Sequence, residues 1–176
     1  MCGIVSYIGH QDPVPILIKG LRRLEYRGYD SAGLALLDGK NLSSIKKAGK
    51  VSDLSDKVSS KSIQGTCGIA HTRWATHGVP NDTNAHPHLD KTGKIALVHN
   101  GIIENYDSIK KTLEGRGVVF KSETDSEVLV QLISELYYKG EGDLDFKDAV
   151  KAALQEVVGA YGIVAMCSDE PNTLVA

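Results

Sequence analysis

A chain of 176 residues, 41% of them hydrophobic, is long enough to bury one substantial core, and its length favours a single domain over two. Lysine and arginine number 20 against 22 aspartates and glutamates, so a formal charge of -2 supplies no broad field for nucleic acid or anionic lipid. No apolar run approaches the roughly 20 residues of a membrane span, no basic segment followed by an apolar stretch opens the chain, and Cys2, Cys67 and Cys167 form neither a disulfide framework nor a C-x-x-C pair. These features predict a cytoplasmic protein with reduced thiols and a small partner, not a nucleic acid or a membrane.

Cys2 to Ile8 reads as an apolar strand, and Asp12-Pro13 then supplies an N-cap and a first-turn proline for a helix. Val14, Leu17, Ile18, Leu21 and Leu24 recur at helical spacing, and Gly28 lies just beyond the end. Ala32 to Leu37 reads as a strand, whereas the serine- and lysine-rich stretch 38–64 reads as a surface meander with one short helix and no chemistry. Cys67 to Ala70 and Ile95 to Val98 are short buried strands that run directly into specialised polar residues. Ile109 and Leu113 mark a helix closed by Gly115, and Thr124 with Glu127 makes a capping-box pattern for another with Val128, Leu129, Leu132, Ile133 and Leu136 on its core face. Phe146 to Leu154 is a further amphipathic helix, followed by strands at Tyr161 to Cys167 and Thr173 to Val175. Strands grouped between helices without strict alternation favour an α+β fold with mixed or antiparallel sheets.

Removal of Met1 would leave a thiol and a free α-amine on Cys2. An α-amine of pKa about 8 is partly unprotonated near neutrality and can take the thiol proton itself, without a histidine; the alternative is a cysteine that merely starts a strand. The loop E-Y-R-G-Y-D-S-A-G, residues 25–33, does not make Ser31 a serine nucleophile, because Tyr29 occupies the first glycine position of a nucleophile elbow. In H-T-R-W-A-T-H-G, residues 71–78, Arg73 can grip a carboxylate bidentately or serve a structural ion pair, with Trp74 as a core plug. In H-N-G, residues 99–101, the Asn100 amide and the Gly101 N–H are either two donors for one oxyanion or a β-turn. Asp125 lies where a helix begins, which keeps it ionised and able to receive an ammonium, or makes it a simple helix start. His71, His77, His86, His88 and His99, with Asp90 near the His-x-His pair, match no zinc spacing, and structural hydrogen bonding is their default.

C-G-I-V, E-Y-R-G-Y-D-S-A-G, H-T-R-W-A-T-H-G, N-A-H-P-H, H-N-G-I-I-E-N and S-E-T-D resemble, in order, the class II glutamine amidotransferases. R-G-Y-D-S-A-G, R-W-A-T-H-G and N-G-I-I-E-N are most similar to the branch that makes glucosamine 6-phosphate in hexosamine biosynthesis. The resemblance implies a four-layer αββα sandwich of the N-terminal-nucleophile hydrolase type, spanning residues 1–176 as a glutaminase domain incomplete at its C-terminal end and lacking a sugar isomerase domain. It implies a cofactor-free glutaminase in which Cys2 attacks L-glutamine, Asn100 and Gly101 hold the oxyanion, Arg73 binds the α-carboxylate and Asp125 the α-amine. Trp74, Thr76 and His77 would shape the loop over the substrate, Arg27 would orient the nucleophile, and Tyr29 would assist closure. Ammonia would reach fructose 6-phosphate only through the missing isomerase domain of a full-length homo-oligomer. Truncation or a retained Met1 would instead leave a silent glutamine-binding module.

Overall fold

A computed structural model describes residues 2–61, 63–75, 78–139 and 144–176. Strand β1 (Gly3–Ile8) leads into helix α1 (Pro13–Leu24), which opens as expected: the Asp12 side chain accepts from the Val14 N–H at 3.0 Å, and a proline occupies the first turn. Leu17, Ile18 and Leu21 form its buried face. Then come β2 (Ser31–Asp38), β3 (Asn41–Ala48), α2 (Val51–Ser59) and β4 (Cys67–Arg73). After the two-residue β5 (His88–Leu89), β6 (Ile95–Ile103) precedes α3 (Tyr106–Gly115), α4 (Asp125–Lys139) and α5 (Phe146–Glu156). The chain returns through β7 (Gly159–Cys167) to β8 (Leu174–Val175).

The strands form two antiparallel sheets in the orders β1-β4-β2-β3 and β5-β6-β7-β8. Side chains alternate faces along a strand, and that alternation sorts the core into layers. On β2, Leu34 and Leu36 pack with Leu17, Leu21 and the α2 residues Val51 and Leu54, while Ala35 and Leu37 face the opposite way. On β6, Ile95 and Leu97 meet Leu129 and Ile133 of α4, while Ala96 and Val98 face Ala35, Cys67 and Ile69 of the first sheet. The order is therefore helices, sheet, sheet, helices, which is the expected α+β sandwich.

Two readings change. The stretch read as a meander with one short helix holds that helix, of nine residues, and also an eight-residue strand. β3 is an edge strand whose lysines and serines hide its periodicity, a composition that edges favour because it discourages pairing with other chains. The strands expected to stop at Ala70 and Val98 continue to Arg73 and Ile103. Asn100-Gly101 is consequently not a turn: the pair lies inside a strand, opposite Gly162 and Tyr161 of β7.

Candidate active site

Strand parity places the polar ends of β4 and β6. His71 and Arg73 share the face of Cys67 and Ile69, pointing into the layer between the sheets, as Asn100 does with Ala96 and Val98. His99 falls on the other face, towards α4. Cys2 enters from the start of β1, an edge strand paired with β4. Its half-buried thiol sits against the backbone of Trp74, accepting from the N–H at 3.2 Å and lying 3.7 Å from the carbonyl oxygen.

Arg73 is 3% exposed and donates to the Gly78 carbonyl at 3.2 Å. Its guanidinium lies 4.0 Å from the Asp30 carboxylate, which also accepts from the Ala75 N–H, while the Asp30 N–H donates to the Arg73 carbonyl at 2.8 Å. One aspartate thus braces the segment that holds both Arg73 and the partner of the thiol. Trp74 is 54% exposed, so it is not a core plug, and its ring lies over Gly28, where φ is +75° and an added Cβ would come within 2.7 Å of the indole.

Asp125 is 5% exposed and begins α4, where its carboxylate accepts from the Ile103 N–H at 2.9 Å. The helix N-terminus favours a negative charge there. The expected capping box is half formed. The Glu127 N–H donates to Thr124 Oγ1 at 3.3 Å, but the Glu127 carboxylate reaches further back, to the Lys121 N–H and to the backbone and hydroxyl of Ser122. Gly101 has φ +135°, and a Cβ there would lie 2.3 Å from the Ala160 oxygen, so glycine alone fits.

The histidines form a hydrogen-bonded layer. Ser126 Oγ lies 2.8 Å from both His86 Nε2 and His99 Nδ1 and donates to Asp125 Oδ1 at 3.4 Å, which leaves both rings as donors to it. His88 Nε2 meets Thr124 Oγ1 at 3.0 Å, and His71 Nε2 meets Asn100 Oδ1 at 2.7 Å. Burial disfavours the imidazolium: it lowers His71 to about 4, drives His86 and His88 well below their ordinary value, and lowers His99, which Asp125 partly opposes. As neutral rings, His71, His86 and His99 carry their proton on the bonded nitrogen. The buried nitrogens without partners, His71 Nδ1, His86 Nδ1 and His99 Nε2, are then bare lone pairs, which cost less to bury than an orphaned N–H. Among the described residues, no group of three or more His, Cys, Asp or Glu is placed to hold a metal ion.

A cavity of about 190 Å³ brings Cys2, Arg73, Trp74, Gly101 and Asp125 together, with His86, His99, Ile102, Thr124 and Ser126. It is smaller than a drug-sized site and suits a compact ligand. Roomier cavities of about 360 and 760 Å³ have no thiol in their lining. Arg27 is exposed in the Glu25–Arg27 turn and does not line this cavity; its guanidinium lies 5.7 Å from the Tyr26 ring centroid. Tyr29 bonds to Glu25 and accepts from the Val51 N–H, lining a separate cavity. Thr76 and His77 lie outside the described residues. Sequence reasoning missed Asp30 and Ser126, which act on partners remote in the chain, and it missed the pairing of His71 with Asn100; period-two alternation held only the hint that both face the inter-sheet layer.

A sequence-family profile described as a glutamine amidotransferase domain matches residues 55–143. The glutamine–fructose-6-phosphate aminotransferase (isomerizing) of Bacteroides thetaiotaomicron is 56% identical over all of this chain and 28% of its own length. That of Chlorobaculum tepidum is 54% identical over 99% of this chain and 29% of its own length. The chain therefore spans under a third of the curated relatives it matches. Among solved structures, the glutamine phosphoribosylpyrophosphate amidotransferase of B. subtilis, complexed with ADP and GMP, superposes with a TM-score of 0.80 at 29% identity, covering 96% of this chain and 35% of that one. A profile match across half the chain, on a sandwich shared with a solved amidotransferase, places this chain in the glutamine amidotransferase family.

Proposed function

We propose that the chain is the glutaminase part of a glutamine–fructose-6-phosphate aminotransferase. Once Met1 is removed, the Cys2 α-amine takes the thiol proton and the sulfur attacks the carboxamide carbon of L-glutamine. The developing oxyanion is held by the Asn100 side-chain amide and the Gly101 N–H. The amine returns the proton to the departing ammonia, leaving a γ-glutamyl thioester that water opens to glutamate and free thiol. Arg73 binds the α-carboxylate and Asp125 the α-ammonium, while Trp74, Thr76 and His77 shape the loop over the ligand and Arg27 orients the nucleophile.

The observation that carries this reading is one small cavity lined by Cys2 together with a buried cation and a buried anion, Arg73 and Asp125. Two opposite charges set apart from a nucleophile suit an amino acid whose far end reacts. In the full-length protein, the rest of the chain is a sugar isomerase domain that passes the ammonia to fructose 6-phosphate, giving glucosamine 6-phosphate in a cytoplasmic homo-oligomer.

The test is an intact mass followed by a glutamate-release assay with glutamine as the only substrate. The expected result is a mass without Met1 and steady glutamate release that disappears in Cys2→Ala. Release that survives in Cys2→Ala, or a Met1-free protein that releases none, would overturn the proposal.

A further inference from the structure

The thiol and the side-chain donor of the site belong to different sheets. Cys2 precedes β1 of the first sheet, and Asn100 lies on β6 of the second. Nothing covalent fixes which end of the Asn100 carboxamide faces the thiol, because its oxygen and nitrogen are nearly the same size. A half-turn about Cβ–Cγ would replace a donor by an acceptor and set a lone pair against the developing oxyanion.

His71 removes that freedom. It is fully buried, on the face of β4 that looks across at β6, and its Nε2 lies 2.7 Å from Asn100 Oδ1. An amide oxygen only accepts, so the ring donates from Nε2, and the NH2 group must point away from it. Asn100 Nδ2 lies 3.5 Å from the Cys2 carbonyl oxygen. The ring is itself held against His86, with centroids 4.2 Å apart and the planes tilted by 33°.

We propose that His71 is a positioning residue for the glutaminase reaction: its Nε2–H locks the Asn100 carboxamide with Nδ2 on the Cys2 side, where the amide can serve as an oxyanion donor. The proposal rests on the glutaminase reading above. His71 touches neither substrate nor thiol and acts only through Asn100.

The test compares three substitutions in the full-length protein. Glutamine places its amide nitrogen about where Nε2 lies, asparagine is polar but too short to reach Asn100, and leucine removes the donor. With glutamine as substrate, H71L and H71N are expected to lose roughly 100-fold in kcat, the scale of losing one oxyanion donor, with KM held within about 2-fold, and H71Q to recover most of the rate. Iodoacetamide alkylation of Cys2, read by mass on the terminal peptide, should keep its wild-type rate in all three, because that reaction needs no oxyanion donor. Cys67 and Cys167 are buried, and burial raises both thiols, so they compete poorly.

Wild-type kcat in H71L, equal losses in H71Q and H71N, a loss confined to KM, or slowed Cys2 alkylation would each overturn the proposal while leaving the glutaminase reading intact. A wild-type protein that releases no glutamate would overturn both. If H71L fails to fold, the contrast between H71Q and H71N still decides.

Discussion

Ser126 shows how far a single hydroxyl can reach. It accepts from His86 and His99 and donates to Asp125, so it joins two buried rings to the carboxylate assigned to the substrate ammonium. Ser126→Ala would strand two buried ring donors at roughly 1–3 kcal/mol each. Urea denaturation of the variant should therefore show a loss of about 2–6 kcal/mol relative to wild type. At this scale the sequence revealed what chemistry makes conspicuous: a second-position cysteine, an arginine and an aspartate beside hydrophobic runs, and a glycine next to an asparagine. It concealed Ser126 and Asp30, whose partners stand at 86, 99 and 125 for one and at 73 and 75 for the other. Apart from the Asp125 neighbour, these partners meet only once strands pair and α4 packs on its sheet.

At the scale of elements, the start of α4 governs the site. Glu127 draws the Lys121 and Ser122 donors back to the first turn, fixing the bend from which Thr124 and Asp125 enter the cavity. In Glu127→Ala these donors lose their acceptor. Stability should fall by about 2–4 kcal/mol, while KM for glutamine rises more than kcat falls if Asp125 serves binding as proposed. Urea unfolding and steady-state kinetics on one sample would check both parts. Helix signals were legible wherever a cap residue or an apolar stripe stood out, as at Asp12 and Thr124. Strand ends were not. The polar residues that seemed to close β4 and β6 remain in register because they bond to one another and to α4, which local propensity does not encode.

For the whole molecule, the neutral imidazoles between the layers make stability depend on pH. The unfolded chain takes up protons on these rings near pH 6.5, where the folded chain refuses them. Stability present above pH 6.5 should drain as the pH falls to about 4, with His71 alone contributing roughly 3 kcal/mol at the acid end. Denaturant titrations at a series of pH values across that window would show it, and a flat profile between pH 6.5 and 5 would refute it. The grouping of strands already indicated antiparallel sheets covered by helices; the stacking of one sheet on the other entered through family resemblance, because composition does not say which faces meet. The layer where they meet is lined partly by small side chains, Ala35 and Ala96 among them. Asn100 reaches across that layer to the Cys2 carbonyl oxygen at 3.5 Å, so core volume also sets how far the second sheet stands from the residue that carries the thiol. A bulkier residue at Ala35 would displace no atom of Cys2 within its own sheet, yet it would part Cys2 from the amide proposed as its oxyanion donor, which ties packing in this layer to the proposed chemistry.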